Sequence, residues 1–198
     1  KRILFNDGWV FLNNGERDGV SLPHTWNKDD GATGTQYCRG DFTYEKEFSY
    51  SLGSGRRLFI EFEGVNSSST VSFNGVTLGT HDGGYSTFRF DVTELVKDEN
   101  KIEVKVDNSP NDYVYPERAD FTFYGGIYRD VYLIETDDVH FPLLSNGGPG
   151  VKVYTLDAGG NQTVLDKSEY KVEYSNNTKA GTASVKVTPN NYSADRCA

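Results

Sequence analysis

At 198 residues the chain has room for one large or two small domains around a real core. Its 13 Tyr, 12 Phe and 2 Trp, set among many Val and Thr, favour sheet over helix. A net charge of −9 excludes partners that need clustered Lys and Arg, nucleic acid and anionic membrane surfaces among them, but suits a neutral sugar.

No apolar run approaches the roughly 20 residues that span a bilayer. Met is absent, so a signal peptide or an upstream segment is expected to precede Lys1. Cys38 and Cys197 are too few for a disulfide framework, and two free thiols are the plainer expectation than a bridge.

In chain order, Leu58, Ile60 and Phe62 alternate with Glu61 and Glu63, which predicts a half-buried strand. Asn74-Gly75, between Val71-Ser72-Phe73 and Val76-Thr77-Leu78, predicts a hairpin, because a type I′ turn needs two residues that tolerate positive φ. Asp82-Gly83-Gly84 marks a further turn. Phe88, Phe90 and Val92 alternate with Arg89 and Asp91; Ile102, Val104 and Val106 alternate with Glu103, Lys105 and Asp107. Between them Asp91 to Asp98 is the one helical candidate, a short turn capped by Asp91 or Thr93 and ended by Asn100.

From Ala119 to Val131 an aromatic segment runs through Gly125-Gly126 into a predicted strand that carries Arg129 beside Asp130. Period-two alternation there would put Ile127, Arg129 and Val131 on one face and Tyr128, Asp130 and Tyr132 on the other, a carboxylate between two phenols. Such a face suits a polyol.

Residues 144–150, Leu-Ser-Asn-Gly-Gly-Pro-Gly, read as a linker. The alternating stretches 151–154, 170–174 and 183–187 beyond it predict a second, smaller β module. Short strands with frequent turns point to an antiparallel sandwich. The expected domains are therefore 1–143, a linker 144–150, and 151–198.

These motifs also carry a resemblance. Leu22-Pro23-His24-Thr25-Trp26-Asn27, Tyr37-Cys38-Arg39-Gly40 followed by Tyr44-Glu45-Lys46-Glu47-Phe48, Phe73-Asn74-Gly75, Gly83-Gly84-Tyr85-Ser86-Thr87-Phe88, and the 121–131 stretch stand in the order found in glycoside hydrolase family 2. The chain resembles that family's N-terminal sugar-binding domain over residues 3 to 141, and its wording is most similar to β-galactosidase-like members. The resemblance implies an all-β jelly-roll sandwich followed by a small Ig-like module, which residues 170–183 liken to repeats of bacterial surface proteins. An extracellular or cell-surface bacterial location follows from that likeness, with the cytoplasm as the alternative.

The family's chemistry uses paired glutamates on a (β/α)₈ barrel. A barrel needs about 250 residues, and no Asn here precedes a Glu, so the chain by itself is expected to be inactive. No Gly-x-Ser-x-Gly elbow or Walker loop is present, and His24, His81 and His140 lie far apart.

The resemblance implies that Asp130 reaches the active site, touching galactose and a sodium ion, as a carboxylate can accept sugar hydroxyls and also bind a hard cation. The plainer role is an ion pair with Arg129. In the loop 27–40, Asn27 and Asp30 are candidates for a further sugar contact, although such residues also form turns. Trp26 and Tyr124, with Tyr37, Tyr44 and Phe123, are candidate stacking platforms, although such rings more often pack in cores.

No cofactor is expected in this chain, with sodium or magnesium in the full enzyme. Expected partners are a β-galactoside, the parent's catalytic barrel and another copy of the protein. The alternative is a free-standing carbohydrate-binding or adhesive module of a bacterial surface protein.

Overall fold

The computed structural model describes residues 1–30, 36–114, 122–145, 147–148 and 150–151, and beyond them the backbone of four strands. It forms two compact units, Lys1–Asp137 and Asp138–Ala198.

The first unit is built from ten strands: β1 Arg2–Leu4, β2 Trp9–Asn13, β3 Glu16–Val20, β4 Asp41–Ser49, β5 Arg56–Phe62, β6 Ser68–Phe73, β7 Val76–Asp82, β8 Phe88–Asp91, β9 Glu99–Asp107 and β10 Val131–Asp137. They pair antiparallel in two sheets, β1-β10-β5-β8 and β3-β2-β4-β9-β6-β7. The chain changes sheet after β1, β4, β5, β7, β8 and β9, which wraps the strands into a jelly-roll sandwich. Tyr44, Phe73, Ile102 and Val104 of the larger sheet meet Leu58, Ile60, Phe62 and Leu133 of the smaller in one apolar cluster.

The Asn74-Gly75 hairpin forms as predicted, with φ of +50° and +82°. A second hairpin of the same chemistry, Asn14-Gly15 at +49° and +92°, joins β2 to β3. The helical candidate is a single 3₁₀ turn, Thr93–Leu95, with the Asp91 carboxylate accepting from the Thr93 N–H (3.0 Å) and hydroxyl (2.6 Å).

β5 departs from its alternation. Leu58 through Phe62 are all buried, so the strand is covered on both faces rather than half-buried. Its outward Glu61 is roofed by Arg2, 2.6 Å away, and by Arg89 from β8.

The second unit contains two separate antiparallel ribbons, Tyr154–Leu156 with Gln162–Val164 and Tyr170–Asn177 with Thr182–Pro189. Among the described residues no strand pairing joins the two ribbons. Since β10 ends at Asp137, residues 138–143 fall with the second unit. Cys38 is a free, exposed thiol; Cys197 lies outside the described residues. No helix among the described residues is long and apolar enough to cross a membrane.

Candidate functional site

The segment 122–130 crosses one end of the sandwich, and three buried asparagines hold it. Asn27 donates through Nδ2 to the Phe123 (3.1 Å) and Cys38 (3.3 Å) carbonyls, and its Oδ1 accepts the Gly125 N–H at 2.9 Å. Asn108 Nδ2 donates to the same Phe123 carbonyl at 3.0 Å. Asn66 pairs its backbone with that of Gly126 in both directions, at 3.0 and 3.2 Å, and its Nδ2 donates to the Tyr124 carbonyl. Buried backbone carbonyls and N–H groups must find partners, and short amides supply both polarities.

The glycine pair is required by close approach. A Cβ on Gly125 would lie 2.0 Å from Trp26 Cζ2; on Gly126, at φ +132°, it would lie 2.5 Å from the His24 carbonyl oxygen. Trp26 is thereby packed against Gly125, parallel to Phe11 with ring centroids 5.9 Å apart, its Nε1 donating to the Cys38 carbonyl at 3.0 Å.

The predicted strand through Arg129 and Asp130 is instead a bend, and β10 begins at Val131. Ile127 and Val131 are buried, whereas Arg129, between them in the alternation, is exposed. The Arg129 stem packs over Gly64 and its guanidinium lies 5.4 Å from the Tyr128 ring centroid. Tyr128 turns away from Asp130 and donates to the Gly84 carbonyl.

Asp130 is half-buried, and its partners differ from the Arg129 pair that adjacency suggests. Oδ1 accepts from Asn6 Nδ2 at 2.8 Å and Oδ2 from the Tyr132 hydroxyl at 3.0 Å. Burial, and then the hydrogen bond to Asp130, push the Tyr132 phenol above its ordinary range, so it keeps the proton it donates. Of the roughly four acceptor positions on a carboxylate, about two remain for a ligand.

The remaining candidates divide. Tyr124 is exposed, with its ring free to take a sugar face; Tyr37 is exposed and its hydroxyl sits 3.1 Å from Thr122 Oγ1. Asn27 is 1% exposed with its amide engaged inside the chain, so it positions the segment rather than offering a surface. The Asp30 carboxylate accepts the Cys38 N–H at 2.6 Å, closing the described ends of its loop; residues 31–35 lie outside the described residues. Tyr44 and Phe123 are buried and cannot serve as platforms. The Tyr44 hydroxyl lies 2.8 Å from His24 Nδ1; burial raises its pKa and lowers that of His24, which keeps the phenol a donor and the imidazole neutral.

Asn66 carries no signal in the sequence beyond a possible glycosylation motif, yet its Oδ1 is buried without a hydrogen-bond partner. Among the described residues no three His, Cys, Asp or Glu side chains converge. The Asp130 carboxylate has the oxygen chemistry that suits a hard cation such as sodium.

Residues 24–124 match the family model described as glycosyl hydrolase 2 galactose-binding domain-like. Over 93% of its length the chain is 39% identical to a β-glucuronidase of Bacteroides fragilis, of which it covers 27%. Over 61% of its length it is 34% identical to a β-galactosidase of Thermoanaerobacter pseudethanolicus, covering 16% of that protein. The crystal structure of a Bacteroides uniformis β-glucuronidase superposes with a TM-score of 0.71 at 30% identity, over 78% of this chain and 20% of that one. The chain thus spans about a quarter or less of each.

Proposed function

Because the chain belongs to glycoside hydrolase family 2, as its galactose-binding-like N-terminal domain, we propose that it forms one wall of the sugar pocket of a larger glycosidase. The observation that carries this reading is Asp130, a half-buried carboxylate pinned on one side and left with acceptor positions on the other. Those positions suit a pair of sugar hydroxyls, whose binding is charge-assisted and directional. The exposed Tyr124 ring, on the same crossing segment, adds an apolar face. Bond cleavage belongs to paired carboxylates of a catalytic barrel beyond this chain.

The substrate we assign is a terminal β-glucuronide, because a relative that matches 93% of this chain is a β-glucuronidase. The second reading, a terminal β-galactoside, is supported by the β-galactosidase relative and by the wording of the 119–126 motif.

The full-length protein containing this chain tests both. It should hydrolyse nitrophenyl β-glucuronide in preference to the β-galactoside; the reverse preference selects the second reading, and turnover of neither overturns both. Asp130→Asn should lower kcat/KM about ten- to a hundredfold with an unchanged melting temperature. A variant that is less stable but kinetically normal would overturn the substrate-contact role.

A further inference from the structure

Asp130 is held by two side chains that are far apart in sequence but come from just past β1 and from its neighbouring strand β10. Asn6 lies just after β1, and its amide orientation is fixed by its partners: Oδ1 accepts the Val131 N–H at 2.9 Å, so Nδ2 must face the carboxylate, 2.8 Å away. The Asn6 backbone is tied as well, its carbonyl accepting the Leu22 N–H at 2.9 Å. Tyr132 stands two residues beyond Asp130, on the outer face of β10.

Its ring is fixed in turn. The Arg2 guanidinium lies 3.3 Å from the ring centroid and is itself bound 2.6 Å from both Glu61 and Glu63. A continuous series of contacts, from Glu61 and Glu63 through Arg2 and Tyr132 to Asp130 and Asn6, thus grips one carboxylate. A carboxylate on a bend would otherwise rotate about χ1 and χ2, and a binding group must be held to a fraction of an ångström to reward the correct ligand.

We infer that Asn6 and Tyr132 are positioning residues: they hold Asp130 in one orientation toward the substrate. This rests on the reading of Asp130 as the substrate-facing carboxylate. Removal of either donor frees the carboxylate to rotate, so each acts on the substrate only through Asp130.

The test is made in the full-length protein, with Tyr132→Phe, Asn6→Asp, Asp130→Asn and the control Tyr50→Phe. Tyr132→Phe keeps the ring under Arg2 and deletes only the hydroxyl. Asn6→Asp keeps the acceptor for the Val131 N–H and sets a like charge against Asp130. Tyr50→Phe deletes another tyrosine-carboxylate bond to β10, Tyr50 to Glu135 at 2.6 Å, away from the site.

Tyr132→Phe should lower kcat/KM about five- to twentyfold. Asn6→Asp should lower it as well, whereas Tyr50→Phe should leave it unchanged. In an Asp130→Asn background neither Tyr132→Phe nor Asn6→Asp should cost anything further. An impaired Asp130→Asn beside a kinetically normal Tyr132→Phe and Asn6→Asp overturns the positioning role and leaves the substrate contact standing. A normal Asp130→Asn overturns the underlying reading. Should Tyr132→Phe fail to fold, Asn6→Asp, alone and combined with Asp130→Asn, decides by itself.

Discussion

Asn27 and Gly125 stand 98 residues apart in the chain, and the Asn27 Oδ1 accepts the Gly125 N–H at 2.9 Å within the buried base of the crossing segment. Together with the two carbonyls that Asn27 reaches, this bond fixes where residues 122–126 cross. Asn27→Leu matches the volume and removes every one of those bonds, leaving backbone groups unsatisfied. Urea unfolding of the whole chain should show a loss of about 2–3 kcal/mol. A loss below about 0.5 kcal/mol would mean that the segment is held by other contacts.

Gly125→Ala should also be destabilising, since its Cβ would meet Trp26 at 2.0 Å and the indole is held by its stacking on Phe11 and its bond to the Cys38 carbonyl. The expected loss is about 2 kcal/mol or more. Trp26→Leu should recover part of it, and a double-mutant cycle checks this. Strictly additive losses would refute the proposed packing.

His24 gives the fold a pH dependence. Burial lowers its pKa in the folded chain, with Lys28 adding to the effect, so the unfolded chain binds more protons between the folded value and about 6.5. Stability contributed by neutral His24 is present above pH 6.5 and is lost as the pH falls through the folded value. His81, also shifted down by burial, acts in the same direction. The melting temperature should therefore drop on going from pH 7.5 toward 5, and His24→Gln should flatten that slope. A slope identical in His24→Gln would exclude His24 as a source.

Glu61 should be the most sensitive member of the charged network on the smaller sheet. It is 3% exposed at its side chain, whereas Arg89 is 11% and Arg2 is 46% exposed. Glu61→Gln removes the buried carboxylate that Arg2 and Arg89 share, with Arg2 keeping its bond to Glu63, and should cost about 3 kcal/mol. Arg89→Met should cost more than Arg2→Met, because solvent screens the outer pair. Thermal melts of the three variants check the order, and equal losses would contradict it.

The signals legible in the sequence were those that act locally. Asn74-Gly75 and Gly125-Gly126 declare themselves because few other residues meet their backbone or steric demands. Period-two alternation reports β9 well, since Ile102, Val104 and Val106 all enter the core. It fails at β5, where Arg2 and Arg89, from other strands, roof a residue that local pattern assigns to solvent. Asn66 and Asn108 were illegible as site residues because each serves backbone groups remote in sequence. Tyr44 and Phe123 show the same limit: an aromatic ring gives no local sign of whether it faces the core or a ligand. Asp130 was legible as chemistry and Tyr132 as its neighbour on one face, but Asn6 as its second partner follows only from the pairing of β1 with β10.

That pairing has a kinetic consequence. Arg2 is registered with Ile134 and Leu4 with Tyr132, so the first strand of the sandwich must wait for its last strand to be synthesised. β5 waits likewise, for β10 closes its second edge. Until then the smaller sheet presents unpaired edges on apolar strands, the state in which chains associate with one another. Such long-range closure is intrinsically slow. A substitution that weakens β10 should therefore reduce the yield of folded protein during synthesis more than the stability of the finished molecule would suggest.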